Sequence, residues 1–296
     1  MLAHQKFIIG ILLLIALPSS AEEDVQAIRI LQQRYQAMQQ ANAAIVADTL
    51  ILNSDFKHDR LSSDGVGLIN FPLHRVIDAL SQASHWCDFM LLTLNIKSCT
   101  HEIERGVNYL TFYAGRKYYQ PPEDSEQLRY RFEIEKKGKN YFRIRLSAAE
   151  GPYGTSDYVI MLEGMTYAQA SLLRIYTAYT TSFWSRTGTR LYLSTLGAGK
   201  VGFSMQGYTD GKPEYIDGLR GIVERNAMRY YLALKTFIET QGQPDDILFE
   251  SRLSSWFDAT EKFKLQLHEL DKDEYVEFKR RELLNQRHLQ KLLDTK

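Results

Sequence analysis

Apolar positions along the chain follow two periods, and the switches between them mark the elements. From Glu22 to Leu52, Ile28, Leu31, Tyr35, Met38 and Ile45 recur at helical spacing with no Gly or Pro, which predicts an amphipathic helix. A turn and a short strand follow within 55–71 (SSDGVGLINF). Pro72 then opens a helix with Leu73, Val76, Ile77 and Leu80 on one face, since proline at the first helical position gives up only an amide that would lack a partner there. From Val107 the period shortens to two. GVNYLTFYAG, Leu128–Lys136, Tyr141–Ser147, Tyr153–Gly164, Leu172–Trp184, Leu191–Leu196 and Lys200–Tyr208 are strand-like, with turn residues such as KKGKN and Glu150-Gly151-Pro152 between them. The pattern predicts about six or seven antiparallel strands, with Leu128–Lys136 and Tyr141–Ser147 forming a hairpin.

The helical period returns between Gly218 and Gly242, with Pro244 just beyond, and these are helix boundaries. Val223, Ala227, Tyr230, Leu234, Phe237 and Ile238 line one face, and the aromatic strands upstream are its natural partner. The same helix carries a polar block, Arg220, Glu224, Arg225, Asn226 and Arg229. One reading is a solvated ion-pair lattice, with Arg220 and Glu224 as an i,i+4 pair contributing a few tenths of a kcal/mol. The other places Arg225 or Asn226 under the sheet, where it fixes the polar head of an otherwise apolar ligand. Past Pro244, Leu248, Leu253, Trp256, Phe257, Phe263, Leu267 and Leu270 need cover, so 246–270 is expected to fold back. The charged segment DKDEYVEFKRRELLNQRHLQKLLD leaves three options open: packing back, extending into solvent, or pairing with a protein partner.

Composition changes the picture little except at the N-terminus. Lys plus Arg equals Asp plus Glu at 36 each over 296 residues, so no charge excess points to nucleic acid. Tyrosine is abundant, 18 beside 14 Phe, which suits a strand-rich core or an aromatic-walled pocket. His4 and Lys6, the apolar run Phe7–Leu17, Pro18 and then Ser19-Ser20-Ala21 read as a secretory signal peptide cleaved after Ala21, and the run is too short for a comfortable membrane span. The expected organisation is a signal peptide over 1–21, a helical arm over 22–53, a main domain over 54–243 and a helical extension over 244–296, exported to a periplasm. In that oxidising compartment Cys87 and Cys99, the only cysteines, are expected to pair.

Catalytic signatures are missing. GFSMQG at 202–207 lacks the strand–turn–helix context of a nucleophile elbow, and GAGK at 197–200 is too short for a phosphate loop. The seven histidines show no ligand spacing, so no metal and no cofactor is expected.

The element order, with the strings VGLINFPLHRVIDALSQASHWCDFMLLTLNIKSC and KVGFSMQGYTDGKPEYIDGLRGIVERNAMRYYLAL, resembles an exported bacterial branch of the START-like (SRPBCC) helix-grip superfamily over about residues 60–240. The resemblance implies an α+β fold in which a curved antiparallel sheet wraps around a long C-terminal helix and encloses an apolar cavity. Here that domain would carry extra helices at both ends. It also implies carriage of a lipid, sterol or related apolar molecule, with transient membrane contact and no cofactor. Periodicity then offers Tyr109, Tyr176, Trp184, Phe203, Asn226 and Tyr230 as wall residues, with Arg225 at the polar head. Two rivals remain: an enzyme of the cyclase or hydrolase kind with Glu224 as general base, and a partner-binding module with a filled core.

Overall fold

The computed structural model describes residues 20–41, 50–183, 187 and 199–295. The expected signal segment up to Ser19, Ile45, Trp184 and the strand expected over 191–196 lie outside them.

β1 (Ile51–Lys57) and β2 (Arg60–Ile69) form a hairpin. A meander follows, comprising β3 (Ile96–Glu104), β4 (Val107–Ala114), β5 (Glu126–Lys137), β6 (Tyr141–Glu150), β7 (Ser156–Tyr167) and β8 (Ala170–Thr180). β8 pairs antiparallel with β2, so one eight-stranded sheet runs β1-β2-β8-β7-β6-β5-β4-β3. β9 (Met205–Thr209) and β10 (Lys212–Tyr215) form a separate hairpin. Two strands depart from the sequence expectation. The N-terminal helix does not reach Leu52, because Ile51 and Leu52 open β1. β3 takes up what reads as a hook around Cys99, and its residues 96–100 are all buried. Strands covered on both faces lose the polar–apolar alternation that identifies them.

α1 (Ser20–Ala41) lies on the outer face, where Leu31 and Tyr35 pack against Ile51, Val66, Tyr141, Met165 and Leu172. Beneath it, Arg174 bonds both oxygens of Asp64 at 2.7 and 2.9 Å and Glu163 at 2.8 Å, and Arg34 also bonds Asp64. The inner face carries α2 (Leu73–Leu80), α3 (Ala83–Met90) and the long α4 (Gly218–Glu239). Leu110, Phe112, Leu146, Leu162 and Ile175 from the sheet, Trp86 and Phe89 from α3, and Ala227, Tyr231, Leu234 and Phe237 from α4 form one core. This is a helix-grip architecture. α4 is capped at Thr240, and Gly242, at φ 86°, turns the chain two residues later, ahead of Pro244. A disulfide joins Cys87 on α3 to Cys99 on β3.

The C-terminal extension folds back as α5 (Asp245–Glu261), α6 (Lys264–Leu267) and α7 (Lys272–Asp294). Trp256 is fully buried, stacks on Tyr275 at 5.2 Å, and donates from Nε1 to the Arg229 carbonyl. Both halves of the extension pack back, the charged α7 included. Among the described residues, no helix is long and apolar enough to cross a membrane.

Candidate ligand-binding site

Strand alternation decides which side chains face α4. On β4, Leu110 and Phe112 point into the core; on β5, Tyr130 does so; on β7, Tyr158 and Ile160; on β8, Leu173, Ile175 and Tyr179. Tyr158 and Tyr179 stack with centroids 5.0 Å apart and planes 8° from parallel. Tyr130 meets Tyr158 edge-on at 6.3 Å and packs on Phe112 at 5.3 Å. Tyr230 faces these three from α4, near enough that its phenolate would oppose their ionisation. Burial is the larger cause in each case and also pushes the Tyr230 phenol up, so all four are neutral hydrogen-bonding groups at physiological pH.

Tyr158, Tyr179 and Tyr230 are only half-buried, while Leu173, Ile175 and Ile160 beside them are closed over. Few polar groups accompany these tyrosines. Asn95 Nδ2 donates to the Tyr230 hydroxyl at 3.5 Å, while Asn95 Oδ1 has no hydrogen-bond partner. Tyr158 is tied to Thr155 Oγ1 at 2.7 Å. Asn226, half-buried, sits one turn before Tyr230 on the same face of α4.

The sequence-derived wall residues divide. Tyr230 and Asn226 share one half-buried face of α4, beside the inward tyrosines. Phe203 is half-buried and packs edge-on against Phe263 at 5.6 Å, beside the start of α4. Tyr109 and Tyr176 must be corrected. They alternate with Leu110 and Ile175 and therefore lie on the outer face, where Arg129 covers Tyr109 at 3.6 Å and Arg174 lies over Tyr176 at 5.4 Å. Arg225 must be corrected too: it sits on another side of α4, buried, and donates to the Val201 carbonyl at 3.2 Å. Tyr130, Tyr158, Tyr179 and Asn95 escaped the sequence reading. The available signal was the parity of Leu110, Phe112 and Ile175, three apolar positions without a polar alternative.

The polar block on α4 is not a solvated lattice, since Glu224, Arg225 and Arg229 are 0, 2 and 3 % exposed. Glu224 is a clasp. It accepts from Ser54 Oγ at 2.5 Å, Ser204 Oγ at 2.7 Å, and the N–H groups of Phe203 and Ser204 at 2.8 Å each. Arg220 donates to Ser54 Oγ at 3.3 Å instead of bonding Glu224. The carboxylate thus ties β1, the 202–204 segment and α4 together. Gly202 is required there, because a Cβ would come within 2.6 Å of Glu224 Oε2. With four donors on its two oxygens, Glu224 is spent on structure, and the geometry gives a general-base role no support.

One turn further on, Arg229 bonds Glu269 at 2.7 Å, and Lys117 bonds the same carboxylate. Burial, then the nearby Arg229, lowers Lys117 to about 8. Burial alone would raise Glu269, but Arg229 and Lys117 beside it hold it below the usual carboxylate range. This cluster fastens the β4–β5 connection and the C-terminal extension to α4. Among the described residues no group of three or more His, Cys, Asp or Glu is placed to hold a metal.

No family model matches the chain. No curated protein matches it significantly. Among solved structures, the STAR-related lipid transfer protein from Xanthomonas axonopodis is similar at 10 % identity and a TM-score of 0.36, over 50 % of this chain and 89 % of that one. Zhui aromatase/cyclase from Streptomyces sp. R1128 is similar at 8 % identity and a TM-score of 0.33, over 69 % of this chain and 94 % of that one. Ara h 8.0201 is similar at 8 % identity and a TM-score of 0.36, over 62 % and 99 %. Likenesses of this size carry no argument about what this chain binds.

Proposed function

We propose that the protein binds an apolar small molecule, a lipid or a ring-bearing compound, between the inner sheet face and α4, and carries it in an exported compartment. The observation that carries this reading is the trio Tyr158, Tyr179 and Tyr230, aromatic side chains on the inner sheet face and on α4 that the core leaves half-buried. Aromatic faces supply apolar contact, at about 25 cal/mol per Å² withdrawn from water. Asn95, Asn226 and the phenol hydroxyls supply the few polar points that orient a guest. Cys87–Cys99 fits an oxidising compartment.

Native mass spectrometry of the exported protein, followed by organic extraction, tests the reading. A co-purifying apolar molecule, displaced on filling the space with Tyr179→Trp and Asn226→Trp, is the expected result. Asn226→Leu should alter which polar head is selected while leaving the fold intact. A ligand-free protein that takes up no fluorescent apolar probe, and whose stability is indifferent to the two Trp substitutions, overturns carriage.

A further inference from the structure

β3 forms one edge of the sheet. The outward N–H and C=O groups of an edge strand pair with whatever strand arrives unless something covers them. Here side chains of α7 occupy them. The Cys99 N–H donates to Gln286 Oε1 at 2.8 Å, and the His101 N–H donates to Gln290 Oε1 at 2.9 Å. Gln290 Nε2 donates back to the His101 carbonyl at 2.9 Å. Gln290 therefore bonds His101 as a facing strand residue would, with one donor and one acceptor. Nearer the start of β3, Lys279 donates to the Thr93 and Ile96 carbonyls at 2.6 and 2.9 Å, and shares Glu282 with Lys97. The register has a simple origin. Four helix residues rise about 6 Å and two strand residues about 6.7 Å, so Gln286 and Gln290 keep step with Cys99 and His101.

This hold is polar. In the second half of α7 only Gln286 is buried; Leu283, Leu289 and Leu293 are half-buried without joining the core, and Leu284 and Leu292 are exposed. An element docked mainly by hydrogen bonds opens more readily than one docked by an apolar face. β3 would stay in place meanwhile, because it is paired with β4 and bonded through Cys99 to α3. Beyond Gln290 the edge continues uncovered. Ile103, which shares the alternation of Cys99 and His101, is 71 % exposed, beside a groove of about 450 Å³ lined by Ala83, His101, Phe132 and Ile134.

We propose that the β3 edge is a self-association site and that α7 is the helix that masks it: when the second half of α7 lifts, β3 pairs antiparallel with β3 of a second copy. A twofold axis at His101 would set His101 opposite itself and Cys99 opposite Ile103. Every outward N–H then meets an outward C=O, and the exposed Ile103 is covered. Such an isologous contact needs no third component.

The test uses the full chain with Gln286→Met and Gln290→Met, which keep side-chain length but remove the hydrogen-bonding groups. Hydrogen exchange should quicken about fivefold or more at the Cys99 and His101 amides. Sedimentation velocity should show a concentration-dependent dimer in larger proportion than in the parent. Gln286→Glu, which retains an acceptor oxygen, should keep Cys99 protected. If the double variant fails to fold, Gln290→Met alone carries the same reading at His101, near the helix end. Unchanged exchange at these amides, faster exchange without added dimer, or a Glu variant that behaves like the Met variant overturns the proposal.

Discussion

Replacing Glu224 tests whether its carboxylate holds the fold by its bonding capacity. Glu224→Ala leaves the Phe203 and Ser204 N–H groups without their acceptor at a fully buried position. Each orphaned N–H costs about 1–3 kcal/mol. The Ser204 hydroxyl keeps the Leu52 carbonyl at 2.7 Å as an alternative, so it adds little. With a further ~1 kcal/mol for the void left behind, the expected loss is about 4 kcal/mol. Glu224→Gln behaves differently: its amide oxygen can take both backbone donors while its NH2 group donates to the Ser54 and Ser204 oxygens. That exchange should cost about 1 kcal/mol. Urea unfolding followed by circular dichroism at pH 7 measures both, provided the denaturant slopes agree. A Gln variant as unstable as the Ala variant would refute the reasoning, since charge and not hydrogen bonding would then hold the clasp. An Ala variant within ~1 kcal/mol of the parent would show that the 202–204 segment finds other acceptors.

Other outcomes follow from the same geometry. Reducing Cys87–Cys99, or replacing both by Ala, should cost about 2–4 kcal/mol, read as a lower thermal midpoint that reductant no longer affects in the double variant. Trp256→Ala should cost about 3–5 kcal/mol in the same denaturation assay if the C-terminal extension unfolds together with the sheet; a separate early transition would mark the extension as an independent unit. Lys279 is brought down to about 8, chiefly by burial and then by the Lys97 charge. The unfolded chain titrates near 10.5, so between about 8 and 10.5 it binds the extra proton. This group's contribution to stability therefore rises with pH across that window and is lost as pH falls through about 8. Lys279→Met should flatten the dependence, as judged by unfolding at pH 7, 8.5 and 10.

The helical period alone delimited α4 between Gly218 and the Gly242 region, placed the amphipathic arm through Leu31 and Tyr35, and showed that Trp256 and Phe257 needed cover. It did so because a helix reports its buried face within a few turns of its own sequence. The pairing of the two cysteines was legible from their number and from the oxidising compartment that the N-terminal segment led one to expect. Strand facing was another matter. On β4 and β8, aromatic residues stand on both faces, so Tyr109 and Tyr176 looked equivalent to inward residues. The long-range register that carries Leu110 and Ile175 inward sends these tyrosines out, under Arg129 and Arg174.

The charged residues taught the sharper lesson. Glu224, Arg229, Lys279 and Glu282 look like solvated helix surface, yet all are buried, because segments far along the chain bring the donors and acceptors that satisfy them. Periodicity determines which residues share a face. Only tertiary pairing decides which face meets water, because that depends on partners that no local stretch of sequence contains.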